Sequence, residues 1–382
     1  MSEFRRRLMM AAGEKELPNY LCFTALESGT FTFRIGSDIS VGNYSYIEYS
    51  IDECRTWTKV SNTNKVEVTA TTPTLNVGDK VYWRGSGVRL NPYVDARRTC
   101  SFSSSGMFNA SGELLSILQL GIINPTYSAI EREFYKLFYG TKIVDAADML
   151  ISTAIAVNNC CFEMFRECTL MTYPPKILAT QATGTSCYNN MFYGCTSLLE
   201  SIEINISSLS NSCCRGMFNG CTNLVMAKPI HSTSAAQRSL QSMFESCTSL
   251  KTAPIIYIEE FTNTHSMDYM FNGCTSLETI PILPAQILLD NSYYQLCLNC
   301  SKLSYVKMLA IDISASNATF RWMQNVQTNS GIFVKHIDAQ WTDTGTSGVP
   351  TNWTVIYYVP ALDKYYLDQQ RQTECDDHGN PI

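Results

Sequence analysis

Sixteen cysteines and four histidines are the residues of this 382-residue chain best suited to hold a metal or attack a substrate. A zinc site asks for Cys-x-x-Cys pairs in duplicate, or one such pair followed by paired histidines. Cys297-x-x-Cys300 stands alone, with no partner pair. His231 and His265 fall in connecting stretches rich in Ser and Thr, and Glu259, Glu260 and Asp268 lie near His265. Those residue types suit a cation or a sugar, but a solvated loop needs no ligand to explain them and is the preferred reading. A glycan-cleaving enzyme needs two carboxylates facing one cleft. Glu200 and Glu203 are the nearest such pair in the repeats, and closeness in sequence does not make a cleft. There is no G-x-x-x-x-G-K-[ST], H-E-x-x-H or G-x-S-x-G, and Gly85-Ser-Gly87 lacks the third glycine of a dinucleotide loop. The expectation is a non-enzymatic protein with no catalytic, cofactor-binding or metal-binding residues and no cofactor.

Charge narrows the partners. Charged residues make up 16% of the chain and the net charge is −6, so the basic stripe of a nucleic-acid binder is missing. Between Cys160 and Leu303 there are 10 acidic and 7 basic residues, too few cations for a phosphate groove. Arg5, Arg6 and Arg7 imitate the start of a signal peptide. The apolar run behind them, Leu8 to Ala12, is shorter than the roughly 7–15 residues a signal needs. No run approaches the roughly 18 apolar residues of a membrane span. The chain reads as made without classical secretion.

The cysteines fall on a repeat. Met164-Phe-Arg-Glu-Cys168, Met191-Phe-Tyr-Gly-Cys195, Met217-Phe-Asn-Gly-Cys221, Met243-Phe-Glu-Ser-Cys247 and Met270-Phe-Asn-Gly-Cys274 recur every 26 or 27 residues. Leu137-Phe-Tyr-Gly-Thr141 precedes them and Leu296-Cys-Leu-Asn-Cys300 follows, which makes about seven rungs. Leu198, Leu224, Leu250, Leu277 and Leu303 sit three residues after the last cysteine of their copies, and proline often follows. Such a period belongs to solenoids of the leucine-rich kind, in which one rung cannot bury its apolar face but a stack can. In Cys187-Tyr-Asn-Asn-Met191-Phe192-Tyr-Gly-Cys195 the apolar residues fall at i, i+4, i+5 and i+8, which predicts a short helix ended by Gly194. The Leu-x-x-x-Pro stretch predicts a short strand. Stacked copies put Cys168, Cys195, Cys221, Cys247, Cys274 and Cys300 in one column. Cys160, Cys187 and Cys213 form another, with serine at 239, 266 and 292. These are expected as reduced, buried core thiols.

The M-F-x-x-C-T-S-L-x-x-x-P pattern resembles the BspA-like leucine-rich-repeat surface proteins of gut bacteria, forms of which occur in phages of those bacteria. The resemblance covers about 134–310. It departs at Ile202, where proline is expected, and at Cys297-Leu298, where Phe follows Met in other copies. It implies adhesion and recognition rather than catalysis, and an Ig-like module ahead of the repeats.

The flanks fit that organisation. Residues 1–18 read as an arm and a possible docking peptide. Over 19–96, short β-branched and aromatic runs (Tyr20–Leu26, Thr30–Ile35, Ser45–Ile51, Thr56–Val60, Lys65–Thr71, Lys80–Trp83) predict an all-β sandwich. Residues 97–133 read as a bridge and N-terminal cap, 134–310 as the solenoid, 311–355 as a C-terminal cap of strands, and 356–382 as a tail. The fold class expected is thus a mixed α/β leucine-rich solenoid behind an Ig-like sandwich. Outward strand positions of successive rungs would be Leu199, Val225, Lys251 and Glu278, and the variable connecting segment offers Tyr257, Glu259 and Phe261. These are the candidate partner-binding residues. The function expected is a phage virion surface component, such as a tail or head fibre or a decoration protein, assembled in the host cytoplasm. It would meet other assembly proteins through its terminal arms and host glycans or proteins through its rungs, with homo-oligomers in view. A bacterial cell-surface adhesin is the first alternative and a glycan-cleaving enzyme the second.

Overall fold

A computed structural model of the chain describes residues 19–36, 46–60, 67–86, 90, 99–119, 129–258, 260–327 and 329–382. The arm expected over 1–18 lies outside the described residues.

Eight strands open the described chain: β1 (Leu21–Ala25), β2 (Phe31–Ile35), β3 (Tyr46–Ser50), β4 (Thr58–Val60), β5 (Val68–Thr71), β6 (Lys80–Ser86), β7 (Ser101–Ser104) and β8 (Phe108–Glu113). Alternation drives them. In β2, Phe31, Phe33 and Ile35 turn inward while Thr32 and Arg34 do not. One sheet has the order β5-β2-β7, and the other begins β4-β3-β6-β1-β8. They meet across interleaved aromatics, from Phe23–Phe102 at 5.0 Å between ring centroids to Phe33–Trp83 at 6.0 Å. The expected Ig-like sandwich is corrected here, because these strands do not close into a separate module. The larger sheet runs on from β8 by parallel pairing to β9 (Ile143–Ile151) and then β11 (Lys176–Ile177). The boundary drawn at 96 also disappears. β7 and β8, from the presumed bridge, complete the two sheets, followed by the four-residue helix α1 (Ser116–Gln119).

The repeats do form a solenoid, of about eight turns, but the mixed α/β rung is corrected. Among the described residues the rungs contain no α-helix. Where the spacing predicted one, the chain makes consecutive turns. The N–H groups of Cys160, Phe162, Met164, Arg166 and Cys168 bond carbonyls three residues back. Those of Asn159, Cys161, Glu163, Phe165 and Glu167 bond carbonyls of the next rung, at Thr185, Cys187, Asn189, Met191 and Tyr193. A helix would direct every N–H along its own axis; here every second one ties two rungs together. The geometry repeats every four residues, with a left-handed residue at each step, as at Asn159, Glu163 and Glu167 (φ 54°, 52° and 60°). Gly194 and Gly220 fill two such positions at φ 71° and 75°, which is why glycine recurs before the last cysteine. Inward side chains therefore also recur at four-residue steps, Cys187, Met191 and Cys195.

Stacking these turns aligns like residues. Phe138, Phe165, Phe192, Phe218, Phe244 and Phe271 form a column of near-parallel rings 5.1–5.8 Å apart. Phe102 of β7 stacks on its first ring, so the N-terminal sheets and the solenoid share one core. Beside it each cysteine thiol reaches back one rung and donates to a phenylalanine carbonyl: Cys168 to Phe138, Cys195 to Phe165, Cys221 to Phe192, Cys247 to Phe218, Cys274 to Phe244 and Cys300 to Phe271, at 3.0–3.2 Å. A thiol is small enough for the column and still supplies a donor. In the second column the Cys187 thiol donates to the Gly184 carbonyl at 2.8 Å. The serine hydroxyls that follow bond the same way, Ser266 to Asn263 and Ser292 to Leu289. At 266 and 292 serine delivers the bond that Cys187 makes, while the buried Ser239 hydroxyl makes none.

The opposite wall is a thin parallel sheet. The short strands β10 (Ile155–Ala156) and β12 (Gln181–Ala182) pair in parallel, β13 (Ser208–Leu209), β14 (Ser234–Ala235) and β15 (Glu260–Phe261) do the same in register, and single bridges link Ile204 to Ile230 and Ile230 to Ile256. It thickens toward the C-terminus into β16 (Tyr305–Met308), β17 (Gly331–His336) and β18 (Trp353–Val359). Residues 356–382 are not a tail. β18 runs through them, and β19 (Lys364–Tyr366) and β20 (Glu374–Cys375) continue its sheet antiparallel. Cys375, with Tyr365 and Leu367, packs against Val334 and Ile356 and covers the outer face of β16–β18.

Candidate recognition groove

The sheet wall turns one face inward and one outward. Its inward residues, Ile230, Ile256 and Leu283 among them, belong to the core. Outward, the character changes along the stack. In the earlier rungs Lys228 pairs with Glu200 at 2.7 Å and His231 with Glu203 at 3.0 Å, so the two carboxylates weighed as a hydrolytic pair each engage a base. One rung later Ile255 and Tyr257 stand 54% and 47% exposed, and Ile282 in the next rung 47%. Beyond them the outer face is apolar again but covered by the C-terminal strands.

Where cover and open face meet there is a groove of about 820 Å³. Ile255, Tyr257, Ile282 and Pro284 line its open side, and Tyr305 and Ile332 its floor toward β16 and β17. Asp377 and His378 form its rim. Tyr257 is held by stacking on His231, with centroids 4.9 Å apart. Burial, aided by Asp377 and Tyr365, pushes the Tyr305 phenol up to about 12, so it stays a neutral donor at physiological pH. The His378 ring nitrogen Nδ1 lies 2.6 Å from an Asp377 oxygen. Asp376, Asp377 and His378 bring ligand atoms within 4.8 Å of one another. That loop is closed on itself: Asp376 accepts bonds from the backbone of His378 and from both the backbone and side chain of Asn380, which hold its carboxyl below the usual range.

Behind the rim lies a buried cation. Lys307 sits 3.4 Å from the centre of the Tyr358 ring and donates to the Tyr365 hydroxyl at 3.0 Å. Burial depresses its pKa, while Asp363 and Asp377 oppose that shift. The ammonium thus fastens the covering strands to β16 through aromatic faces.

The expected binding residues separate into three groups. Leu199, Val225, Lys251 and Glu278 do form one column: Val225 donates to the Leu199 carbonyl and Glu278 to that of Lys251. Val225, Lys251 and Glu278 are exposed and Leu199 half-buried, but none of them lines the groove. Tyr257 does. Phe261 points the other way, packing edge-on against Tyr293 at 5.5 Å, and serves the core. Glu259 lies outside the described residues. His265 pairs with the buried Asp268 at 2.9 Å, and Gln241 donates to the same oxygen at 2.7 Å. Burial raises the Asp268 carboxyl and those two bonds oppose it.

Ile255, Ile282, Pro284, Tyr305 and His378 were missed, though a signal for three of them was present. Pro254-Ile-Ile-Tyr-Ile258 and Ile280-Pro-Ile-Leu-Pro284 are apolar on both strand faces, and a strand with one wet face alternates. Among the described residues no helix is long and apolar enough to cross a membrane. Comparison with protein families, with curated proteins and with solved structures returns no match to this chain.

Proposed function

We propose that this chain is a non-enzymatic recognition protein, displayed at the surface of a phage particle as part of a fibre or decoration, whose stacked rungs hold a fixed contact face. The observation that carries the recognition reading is the groove: aliphatic and aromatic side chains stand exposed on a wall whose backbone is locked from behind. Rigid scaffolds with varied outward residues suit contact with a partner surface.

The repeat's resemblance to BspA-like surface proteins supports placement on a particle or a cell. The thiols favour the particle. Six cysteines donate to carbonyls as S–H groups, and an arrangement built on reduced cysteine suits a chain that folds in a reducing cytoplasm, as virion proteins do before lysis. Proteomics of purified particles beside host membranes tests the placement. The chain is expected in particles at fixed stoichiometry with other structural proteins. Recovery from membranes and never from particles would assign it to a cell-surface adhesin instead.

A further inference from the structure

We infer that the groove takes an extended apolar peptide segment of a partner protein, laid on the outer sheet face beside the chain's own C-terminal strands. The inference rests on the recognition reading and names its ligand class. Continuity carries it. Over β16–β18 the outer face is covered by this chain's own β19–β20 segment and the turn after it: Tyr365, Leu367 and Cys375 pack on Val334 and Ile356, and His378 lies 5.9 Å from the Tyr305 ring. The same face continues through Ile282, Ile255 and Tyr257, where that cover stops. A surface that already packs the chain's own C-terminal segment over three strands presents the same chemistry over the next two rungs.

The polar groups argue for peptide over sugar. A glycan needs hydrogen-bond partners for its hydroxyls. The side chains that line the groove offer Thr279, Ser304 and Tyr305, with a rim pair, Asp377 and His378, that bonds internally. A peptide with aliphatic or aromatic residues at alternate positions buries that face against the groove and leaves its other face in water. A lipid surface is flat or convex, and Asp377 and His378 rise at the groove's edge.

The test uses the full-length reduced protein and a synthetic library of ten-residue peptides. One arm carries aliphatic or aromatic residues at alternate positions, a second carries the same residues scrambled into blocks, and a panel of oligosaccharides and phosphatidylcholine vesicles forms a third. Binding is read by fluorescence polarisation or co-sedimentation. Peptides of the first arm are expected to bind, Ile282→Asp and Tyr257→Ser to weaken them at least tenfold, and Leu178→Asp, at an equally exposed site elsewhere, to leave them unchanged. Circular dichroism confirms that each variant folds. Peptide binding indifferent to Ile282→Asp overturns the inference. Oligosaccharide binding lost in Ile282→Asp overturns it while leaving the recognition reading intact. Failure of wild type to bind any arm overturns both.

Discussion

The two walls of the solenoid do different work with the same backbone. On the turn wall every second N–H crosses to the next rung, and the side chains behind it, Met, Phe and Cys, stack on copies of themselves. On the sheet wall the middle rungs touch through pairs of residues or single bridges, and the outward side chains differ from rung to rung. One wall is repetitive because it holds; the other varies because little of its variation reaches the core. Binding residues can therefore change without cost to the stack.

Breaking the turn wall gives the largest effects. Cysteine charges by losing a proton, and burial pushes the Cys168 thiol up to about 12. The protonated form is thus the one the fold prefers. Its stabilisation is complete below the unfolded thiol's value of about 8.5 and is lost as pH rises from there toward 12. Each ladder thiol contributes up to about 1.4 kcal/mol per pH unit in that window. Denaturation of the reduced protein at pH 8 and pH 10 is expected to show a collapse of several kcal/mol, and equal stabilities would refute the ladder. Next, Phe192→Ala removes a ring from the middle of the column and is expected to cost about 3–5 kcal/mol by urea denaturation. Gly220→Ala has room for its methyl, the nearest atom being the Gly194 Cα at 3.7 Å, but keeps φ at 75°, so it is expected to cost about 1–2 kcal/mol of unfolding free energy. Cys213→Ser sits in the column where later rungs use serine and is expected to cost less, about 1 kcal/mol, with the midpoint shift compared against Cys221→Ser.

Much of this was legible in the residues. The spacing of Met-Phe-x-x-Cys located the rungs, and short β-branched and aromatic runs located β1 to β6. The helix was misread because i, i+4, i+5, i+8 fits two geometries. Four-residue steps drift about 40° each on a helix with 3.6 residues per turn, yet over two steps the drift is too small to notice. The deciding clue was Gly194 together with Asn190, residues four apart whose types tolerate left-handed backbone, a conformation that Ser186, four residues earlier, also adopts. Gly194 by itself reads as a helix end. The C-terminal strands were hidden because the 26-residue period fades there, and Tyr357, Tyr358, Tyr365 and Tyr366 resemble a sticky tail until their pairing is seen. The groove was hidden for a different reason: it joins residues 255–284 to Asp377 and His378, nearly a hundred positions away, and no local pattern reports that contact.

The central claim is that the wall which holds and the wall which binds are separable. Urea unfolding of the reduced Ile255→Asp/Ile282→Asp double variant beside Phe192→Ala tests it most directly. The double variant is expected to unfold within about 0.5 kcal/mol of wild type per site, as exposed positions do, while Phe192→Ala falls by several kcal/mol. A loss in the double variant as large as that of Phe192→Ala would contradict the claim.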